Sequence, residues 1–144
     1  MKFSPGDMIE IKTESGLYYA QLTHEHPSYP QVVRVLCGAH DTRPKDIQLL
    51  AQSETAFSAM IALGNAIANK QITGSRIGSA SIPEQDSEFP IFRTPIYDKQ
   101  GGIAYWWLWD GKGLRYETKL TPEAEKYSIR EVMSADAFLR RLAG

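Results

Sequence analysis

The sequence contains one cysteine, no long hydrophobic run and no excess of charge of either sign. One cysteine, Cys37, cannot form an intramolecular disulfide, so a hydrophobic core must hold the fold, and 144 residues suffice to build one. No stretch approaches the roughly 20 apolar residues that span a bilayer, and the N-terminal MKFSPGDMIEIK lacks the features of a signal peptide. Sixteen basic against seventeen acidic side chains leave no basic patch for a phosphate backbone. We therefore expect a cytoplasmic protein with neither a nucleic acid nor a membrane as partner.

Motifs of catalysis and cofactor binding are also scarce. No G-x-S-x-G elbow is present, and residues 74–81 (GSRIGSAS) lack the Lys-Ser/Thr ending of a phosphate loop and the spacing of a dinucleotide site. His24 and His26 fall on one strand face, but a zinc site takes three or four ligands. Cys37 ends an apolar run and is interpreted as a buried thiol. The sequence thus predicts no catalytic residue, no metal and no cofactor.

Short strands separated by turns dominate the first third. Residues 8–12 alternate apolar and polar side chains, TESG supplies a turn, and residues 17–24 form an aromatic-rich strand. Residues 31–37 (QVVRVLC) are almost continuously apolar, which predicts a strand that is buried on both faces or central in the sheet. Residues 46–52 (DIQLLAQ) are interpreted as a short fourth strand.

The middle of the chain leaves alternatives open. Residues 53–71 are consistent with an interrupted helix, since Gly64 disfavours a continuous one, or with a strand to about Leu63 and a short helix over 65–70. Residues 73–90 are rich in Gly, Ser and Pro and are interpreted mainly as a long connection, with a short strand left open at 75–82 (SRIGSASI). Residues 74–81 are interpreted as a flexible loop.

The last third predicts a three-stranded meander and a terminal helix. The strands are residues 91–98, where Pro95 indicates an edge position or a bulge, 103–110 and 114–119, with turns at KQGG and GKG. Thr121 caps a short helix, and Ser134 caps the terminal one. The fold class we expect is α+β, mainly antiparallel β: a small bent sheet or SH3-like barrel with the C-terminal helix packed on it, in a single domain over 1–144.

All three tryptophans lie in one strand, IAYWWLWD. Its alternation places Tyr105, Trp107 and Trp109 on one face and Trp106 and Leu108 on the other. Since both faces are apolar, most of these rings must be core, and we expect the terminal helix to cover the strand through Phe138, Leu139 and Leu142. Trp106 and Trp109 are the candidates for a tryptophan left over for a partner, because Trp, Tyr and Arg are enriched in binding hot spots. The candidate partner-binding residues are Trp106, Trp109, Arg93, Asp110, Arg115, Glu117 and Arg130.

The order of these features resembles the immunity protein 26 family, small cytoplasmic antidotes of bacterial polymorphic toxin systems. The matching stretch is FSPGDMIEIKTESGLYYAQL, with the Gly6-Asp7 pair and Gly16–Tyr19 its most specific residues, followed by the Val-rich strand, FPIFRTP, the Trp strand and the amphipathic C-terminal helix. The resemblance implies a protein without catalytic activity that binds a cognate toxin and blocks it.

We therefore expect a non-enzymatic protein-binding module whose partner is a protein, such as a toxin domain. Two alternatives stay open: a small-ligand-binding protein or enzyme with a pocket near residues 74–81, and an SH3-like adaptor, given the SPGDMIEI opening and the compact β-rich order.

Overall fold

The computed structural model describes residues 2–144. Its strands are β1 (Asp7–Thr13), β2 (Gly16–His24), β3 (Val32–Leu36), β4 (Thr55–Met60), β5 (Thr73–Ser79), β6 (Phe92–Tyr97), β7 (Ile103–Trp109) and β8 (Leu114–Glu117). Its α-helices are α1 (Ile47–Leu50), α2 (Leu63–Ala68) and α3 (Ala135–Ala143), and 3-10 turns cover Glu84–Asp86 and Ala124–Lys126. The predicted α+β class with mainly antiparallel strands is confirmed. Over the described residues, no helix is long and apolar enough to cross a membrane.

The chain forms two compact units. The first unit comprises residues up to 88 together with 132–144, and the second unit comprises 89–131. The first holds a five-stranded sheet of order β4-β3-β2-β1-β5, and the second a three-stranded sheet of order β6-β7-β8. Among residues 2–144 neither sheet closes, so the barrel alternative is not adopted. A single domain over 1–144 stays a prediction, because one domain can contain two compact units.

Alternation along the central strands creates the main core of the first unit. Ile9 and Ile11 of β1 are fully buried on one face of the sheet, as expected for residues two apart on a strand. Helix α3 packs on this face through Phe138 and Leu142. The predicted terminal helix and its cap are confirmed, since Ser134 accepts a hydrogen bond from the Ala137 amide at 3.1 Å. The expectation that this helix covers the Trp strand is wrong: its buried residues belong to the core of the five-stranded sheet.

Two predicted elements differ from the structure for identifiable reasons. Residues 46–52 contain helix α1 instead of a strand, because the Asp46 carboxylate accepts a hydrogen bond from the Leu49 amide (3.1 Å) and caps a helical turn. Cys37 is exposed instead of buried, since β3 ends one residue before it. Of the two interpretations of 53–71, strand followed by short helix is confirmed by β4 and α2.

The second unit is the predicted meander. Strand β7 pairs with β6 on one side and β8 on the other, both antiparallel. Pro95 lies in β6, an edge strand, as the missing proline N–H requires. The 3-10 turn over Ala124–Lys126 packs on one face, where Leu108 and Leu120 form a small core with Ala124. Thr121 caps this turn by accepting from the Ala124 amide at 3.1 Å.

Candidate protein-binding surface

The structure separates the three tryptophans by burial. Trp109 is only 5% exposed and lies against Phe89 and Phe92, with ring centroids 5.4 and 6.0 Å away. The Arg130 guanidinium stacks over its indole at 4.3 Å. Trp109 therefore belongs to the interior of the second unit, and the half-buried Arg130 covers its indole. The expectation that Trp109 is available at the surface is corrected.

Trp106 lies half-buried on the opposite face of β7. It packs against the core formed by Leu108, Leu120 and Ala124, and the Arg93 guanidinium lies 4.8 Å from its ring centroid. The Nε atom of Arg93 donates to the Tyr127 carbonyl oxygen at 2.8 Å. These contacts give Arg93 a positioning role, because it joins β6 to the segment that follows the 3-10 turn.

The turn between β7 and β8 is organised by Asp110. Its carboxylate accepts from the backbone amides of Gly113 (2.8 Å) and Lys112 (3.0 Å), an Asx-type arrangement. These amide hydrogen bonds lower the pKa of Asp110. Gly111 adopts φ +94°, and a Cβ there would lie 2.6 Å from the Phe89 ring, so glycine is required both by the backbone and by the close approach.

Strand β8 carries the two remaining predicted residues, Arg115 and Glu117. Both are exposed, and the Arg115 Nε lies 3.9 Å from the Glu117 carboxylate. An exposed pair of this kind adds little to stability. Three of the seven predicted residues are exposed: Asp110, Arg115 and Glu117. The Asp110 carboxylate is engaged in the turn.

A second set of aromatic side chains contacts solvent on the other face of β7 from Trp106. Tyr105, Trp107 and Tyr116 contact one another edge to face, with centroid distances of 5.8 to 6.0 Å. We call these three the aromatic surface. Tyr105 and Trp107 are half-buried, whereas Tyr116 is 62% exposed, and Leu114 beside it in β8 is 52% exposed. Edge-to-face contacts hold each ring in place without removing it from solvent.

The aromatic surface does not follow from the sequence pattern of any single strand, because its three residues come from two paired strands. Alternation alone groups Tyr105 and Trp107 with Trp109 and does not say which of them is open. The register of β7 with β8 places Tyr116 opposite Trp107 and Leu114 opposite Trp109. Since Asp110 and Gly113 flank a two-residue loop, this register follows from the turn, and it is the signal that would have identified the cluster.

The polar residues of the first unit are engaged in holding its interior. Arg34 is fully buried, and its Nε donates to the Gln21 side-chain oxygen at 2.9 Å. Its terminal nitrogens donate to the carbonyl oxygens of Ala51 and Ser53 and to the Thr55 hydroxyl. Burial lowers the pKa of Arg34, and the charge of Asp86, 3.7 Å away, acts in the opposite direction. The guanidinium thus ties the segment after α1 to the sheet.

A second cluster joins β1 to the loop after β3. The Glu10 carboxylate accepts two hydrogen bonds from Arg43 (2.8 and 3.0 Å) and one from the Tyr19 hydroxyl (2.8 Å). The Arg43 hydrogen bond is the largest cause of the lowered pKa of Glu10. Burial, reinforced by the hydrogen bond to Glu10, raises the pKa of Tyr19. A phenol held protonated in this way is a structural donor.

The Gly6-Asp7 pair, on which the resemblance depends, also stabilises the start of β1. Asp7 accepts from the Ser4 amide (2.8 Å) and from Arg76 Nε (2.9 Å). Gly6 has φ +97°, and its carbonyl oxygen accepts from the Gln21 side chain. The pair therefore fixes how the chain enters β1 beside β5.

Residues 74–79 form most of β5, so the flexible-loop interpretation is wrong for this stretch, and the short strand left open at 75–82 is confirmed as far as Ser79. A cavity of about 460 Å³ near its end is lined by Pro5, Gly6, Gln48 and residues 79–82. Another, of about 720 Å³, is lined by residues 12–15, Gln71, Thr73, Leu139 and Ala143. His24 Nε2 lies 2.9 Å from the Ser87 carbonyl oxygen, and over residues 2–144 no three His, Cys, Asp or Glu side chains are grouped to hold a metal ion.

Comparison with known proteins gives no relative from which a function is transferable: no protein-family model, no curated protein and no solved structure matches this chain. The residues themselves therefore carry the functional argument.

Proposed function

We propose that the protein is a non-enzymatic binding module and that its partner is a bacterial toxin domain, which it neutralises in the cytoplasm. The observation that carries the proposal is the aromatic surface: three rings that contact one another and still face solvent. Trp and Tyr are the residue types that dominate protein-binding hot spots. Rings already held by edge-to-face contacts lose little conformational freedom on binding, which favours affinity.

The toxin as partner is taken from the resemblance at Gly6-Asp7 and Gly16–Tyr19 and from the order of the later elements. The structure gives the first of these pairs a role in the entry to β1. The functional surface we propose lies elsewhere, on β7 and β8. This division supports a scaffold in the first unit and partner recognition in the second.

The proposal predicts a toxin gene next to the gene for this chain, and a neighbourhood of metabolic genes would contradict a toxin as partner. The toxin domain encoded there is the binding partner in the following experiments. Co-expression of the full chain with that domain is expected to restore growth, and titration calorimetry of the two purified proteins is expected to show tight binding. Trp107→Ala should weaken binding by about 2 kcal/mol or more, roughly thirtyfold in Kd, as for a central hot spot.

The chain offers a matched control for the aromatic surface. Tyr97 and Tyr116 are each 62% exposed, but only Tyr116 contacts the other two rings. Tyr116→Ala should weaken toxin binding, whereas Tyr97→Ala should leave the Kd within about twofold. Equal effects of both variants, or binding unaffected by Trp107→Ala, would refute this surface. Binding that depends instead on the first unit would favour the adaptor alternative.

A further inference from the structure

The three-stranded sheet of the second unit has one protected edge and one open edge. On the β6 side, Pro95 lacks an N–H group, and Arg93 exchanges backbone hydrogen bonds with Ser128 and Arg130 (2.9 and 2.8 Å). On the other side, all four residues of β8 are exposed, and no other strand of residues 2–144 pairs with its outer edge. An open edge presents a row of backbone donors and acceptors to another chain.

The hydrogen-bond phase of β7 and β8 shows which backbone groups face outward. The Asp110 amide donates to the Gly113 carbonyl oxygen at 3.3 Å. Along an antiparallel strand, the backbone N–H and C=O groups of every second residue face the same neighbouring strand. Since those of Gly113 face β7, those of Arg115 and Glu117 also face β7. Leu114 and Tyr116 therefore direct their N–H and C=O groups away from the sheet, where a second strand would pair with them.

The outer edge of β8 is suited to pair with the same edge of a second copy of the chain, because the β8 sequence Leu-Arg-Tyr-Glu is complementary to itself. In an antiparallel pairing centred on Tyr116, the two Tyr116 residues exchange backbone hydrogen bonds. Arg115 of each copy then lies opposite Glu117 of the other, twice by symmetry. These pairs are of the non-hydrogen-bonded kind, in which side chains approach most closely. Opposite charges directly across a ladder are stabilising.

The competing symmetric register is disfavoured by the same charges. A pairing centred on Arg115 also matches the outward-facing backbone groups, but it places the two Arg115 guanidinium groups opposite each other. Like charges directly across a ladder are destabilising. We propose that two copies of this chain associate through β8 in the register centred on Tyr116, which joins their three-stranded sheets into one of six strands.

The paired edge is short, so the dimer is weak. Four residues per copy bury far less than the roughly 1,600 Å² of a standard interface. We expect a dissociation constant on the order of 10 to 100 μM, in the range of transient contacts. The dimer does not depend on the proposed toxin partner, and it sets the Tyr116 rings of the two copies side by side.

Charge exchange between two variants tests the pairing in solution. Sedimentation equilibrium on the full chain should show a monomer–dimer equilibrium. Arg115→Glu and Glu117→Arg should each weaken self-association about tenfold or more, because each change creates two like-charge contacts per dimer. An equimolar mixture of the two variants should regain association, since both contacts in the mixed dimer are then between opposite charges. Lys99→Glu, an exposed reversal outside β8, should have no effect.

Cysteine cross-linking tests the register. In a Cys37→Ser background, Tyr116→Cys should form an intermolecular disulfide in glutathione buffer, because residues 116 face each other. Leu114→Cys should not, since the two copies of residue 114 lie about four residues apart along the paired strands, roughly 13 Å. Circular dichroism confirms that each variant folds.

Several results would overturn the proposal. These are a chain that stays monomeric at millimolar concentration, a dimer that Arg115→Glu leaves intact, a mixture of the two charge variants that does not associate, or equal cross-linking at 114 and 116. Toxin binding of the wild-type chain, measured well below the dissociation constant of the dimer, reports separately on the proposed function.

Discussion

Replacing Arg34 with alanine tests whether the polar interior of the first unit stabilises its sheet. The change removes a fully buried guanidinium and leaves the Gln21 side-chain oxygen and the Ala51 carbonyl oxygen without their donor. A buried acceptor without a partner costs about 1 to 3 kcal/mol. The Ser53 carbonyl oxygen and the Thr55 hydroxyl lie nearer the surface and recover part of their hydrogen bonding from water. We therefore expect a loss of about 3 to 5 kcal/mol in the free energy of unfolding.

Two further variants distinguish hydrogen bonding from charge. Arg34→Lys keeps the positive charge but presents three donors from one atom, so it cannot reach Gln21 and the carbonyl oxygens together; we expect a loss of about 2 kcal/mol. Asp86→Asn should cost about 1 kcal/mol or less, because the Asp86 carboxylate is partly exposed and 3.7 Å from the guanidinium. Urea unfolding followed by far-ultraviolet circular dichroism measures all three. A loss below about 1 kcal/mol for Arg34→Ala, or a larger loss for Asp86→Asn, would refute the reasoning.

Three other changes give equally direct expectations. The hydrogen bonds to Glu10 lower its pKa below the usual 4.5. They therefore contribute stability that is present above that value and is lost as the pH falls through the lower folded-state pKa. In acid titrations of stability, wild type should lose more unfolding free energy than Glu10→Gln between about pH 5 and about pH 3. Gly111→Ala should destabilise the second unit by about 2 kcal/mol or more, because φ is positive there and the new Cβ would clash with Phe89. Gly101→Ala also has a positive φ but meets open space, and it should cost about 1 kcal/mol. Thermal melts followed by tryptophan fluorescence compare the two variants, and equal losses would contradict the role of the clash. The Cys37 thiol, exposed in the fold, should react with a chromogenic disulfide reagent in native buffer nearly as fast as in denaturant, and strong protection would contradict its exposure.

Local patterns predicted the strands well where alternation and turns agreed. The β1–β2 hairpin, the buried strand β3 and the meander β6–β8 all lie within a few residues of their predicted positions. Each is bounded by Gly, Pro or Asx residues whose backbone preferences end a strand whatever the tertiary setting. Helix α3 was equally predictable, because Ser134 and the apolar spacing of its buried face act locally.

Helix α1 was missed although its Asp46 cap is local, whereas the other failures depend on contacts distant in sequence. Residues 74–79 are polar and Gly-rich, and they become β5 only because β1 offers them an edge to pair with. The covering role given to Phe138 failed for a related reason: an amphipathic helix shows that it needs an apolar partner without saying which sheet supplies it. Nothing in QVVRVLC indicates that Arg34 is buried, because a charged residue in a strand is ordinarily expected to face solvent.

The candidate surface was predictable in kind but not in place. Composition placed the candidate binding residues in the Trp-rich meander, which stays a prediction, and of these residues Arg115 and Glu117 are exposed. Trp109 was misplaced because its cover comes from Phe89, Phe92 and Arg130, none of which lies in its own strand. When both faces of a strand are apolar, the segments that pack on the strand decide which face is covered.

The distribution of engaged groups favours recognition by the second unit. In the first unit the conspicuous polar side chains, Arg34 and Glu10 among them, are held by hydrogen bonds to neighbouring strands and loops, so moving any of them would cost stability. In the second unit Trp107 and Tyr116 contact each other and still face solvent, and β8 leaves its outer edge unpaired within the described residues. Binding at such a surface requires no group to leave an existing partner. The proposed toxin-binding face on the aromatic surface and the proposed self-pairing edge of β8 therefore lie on one short meander.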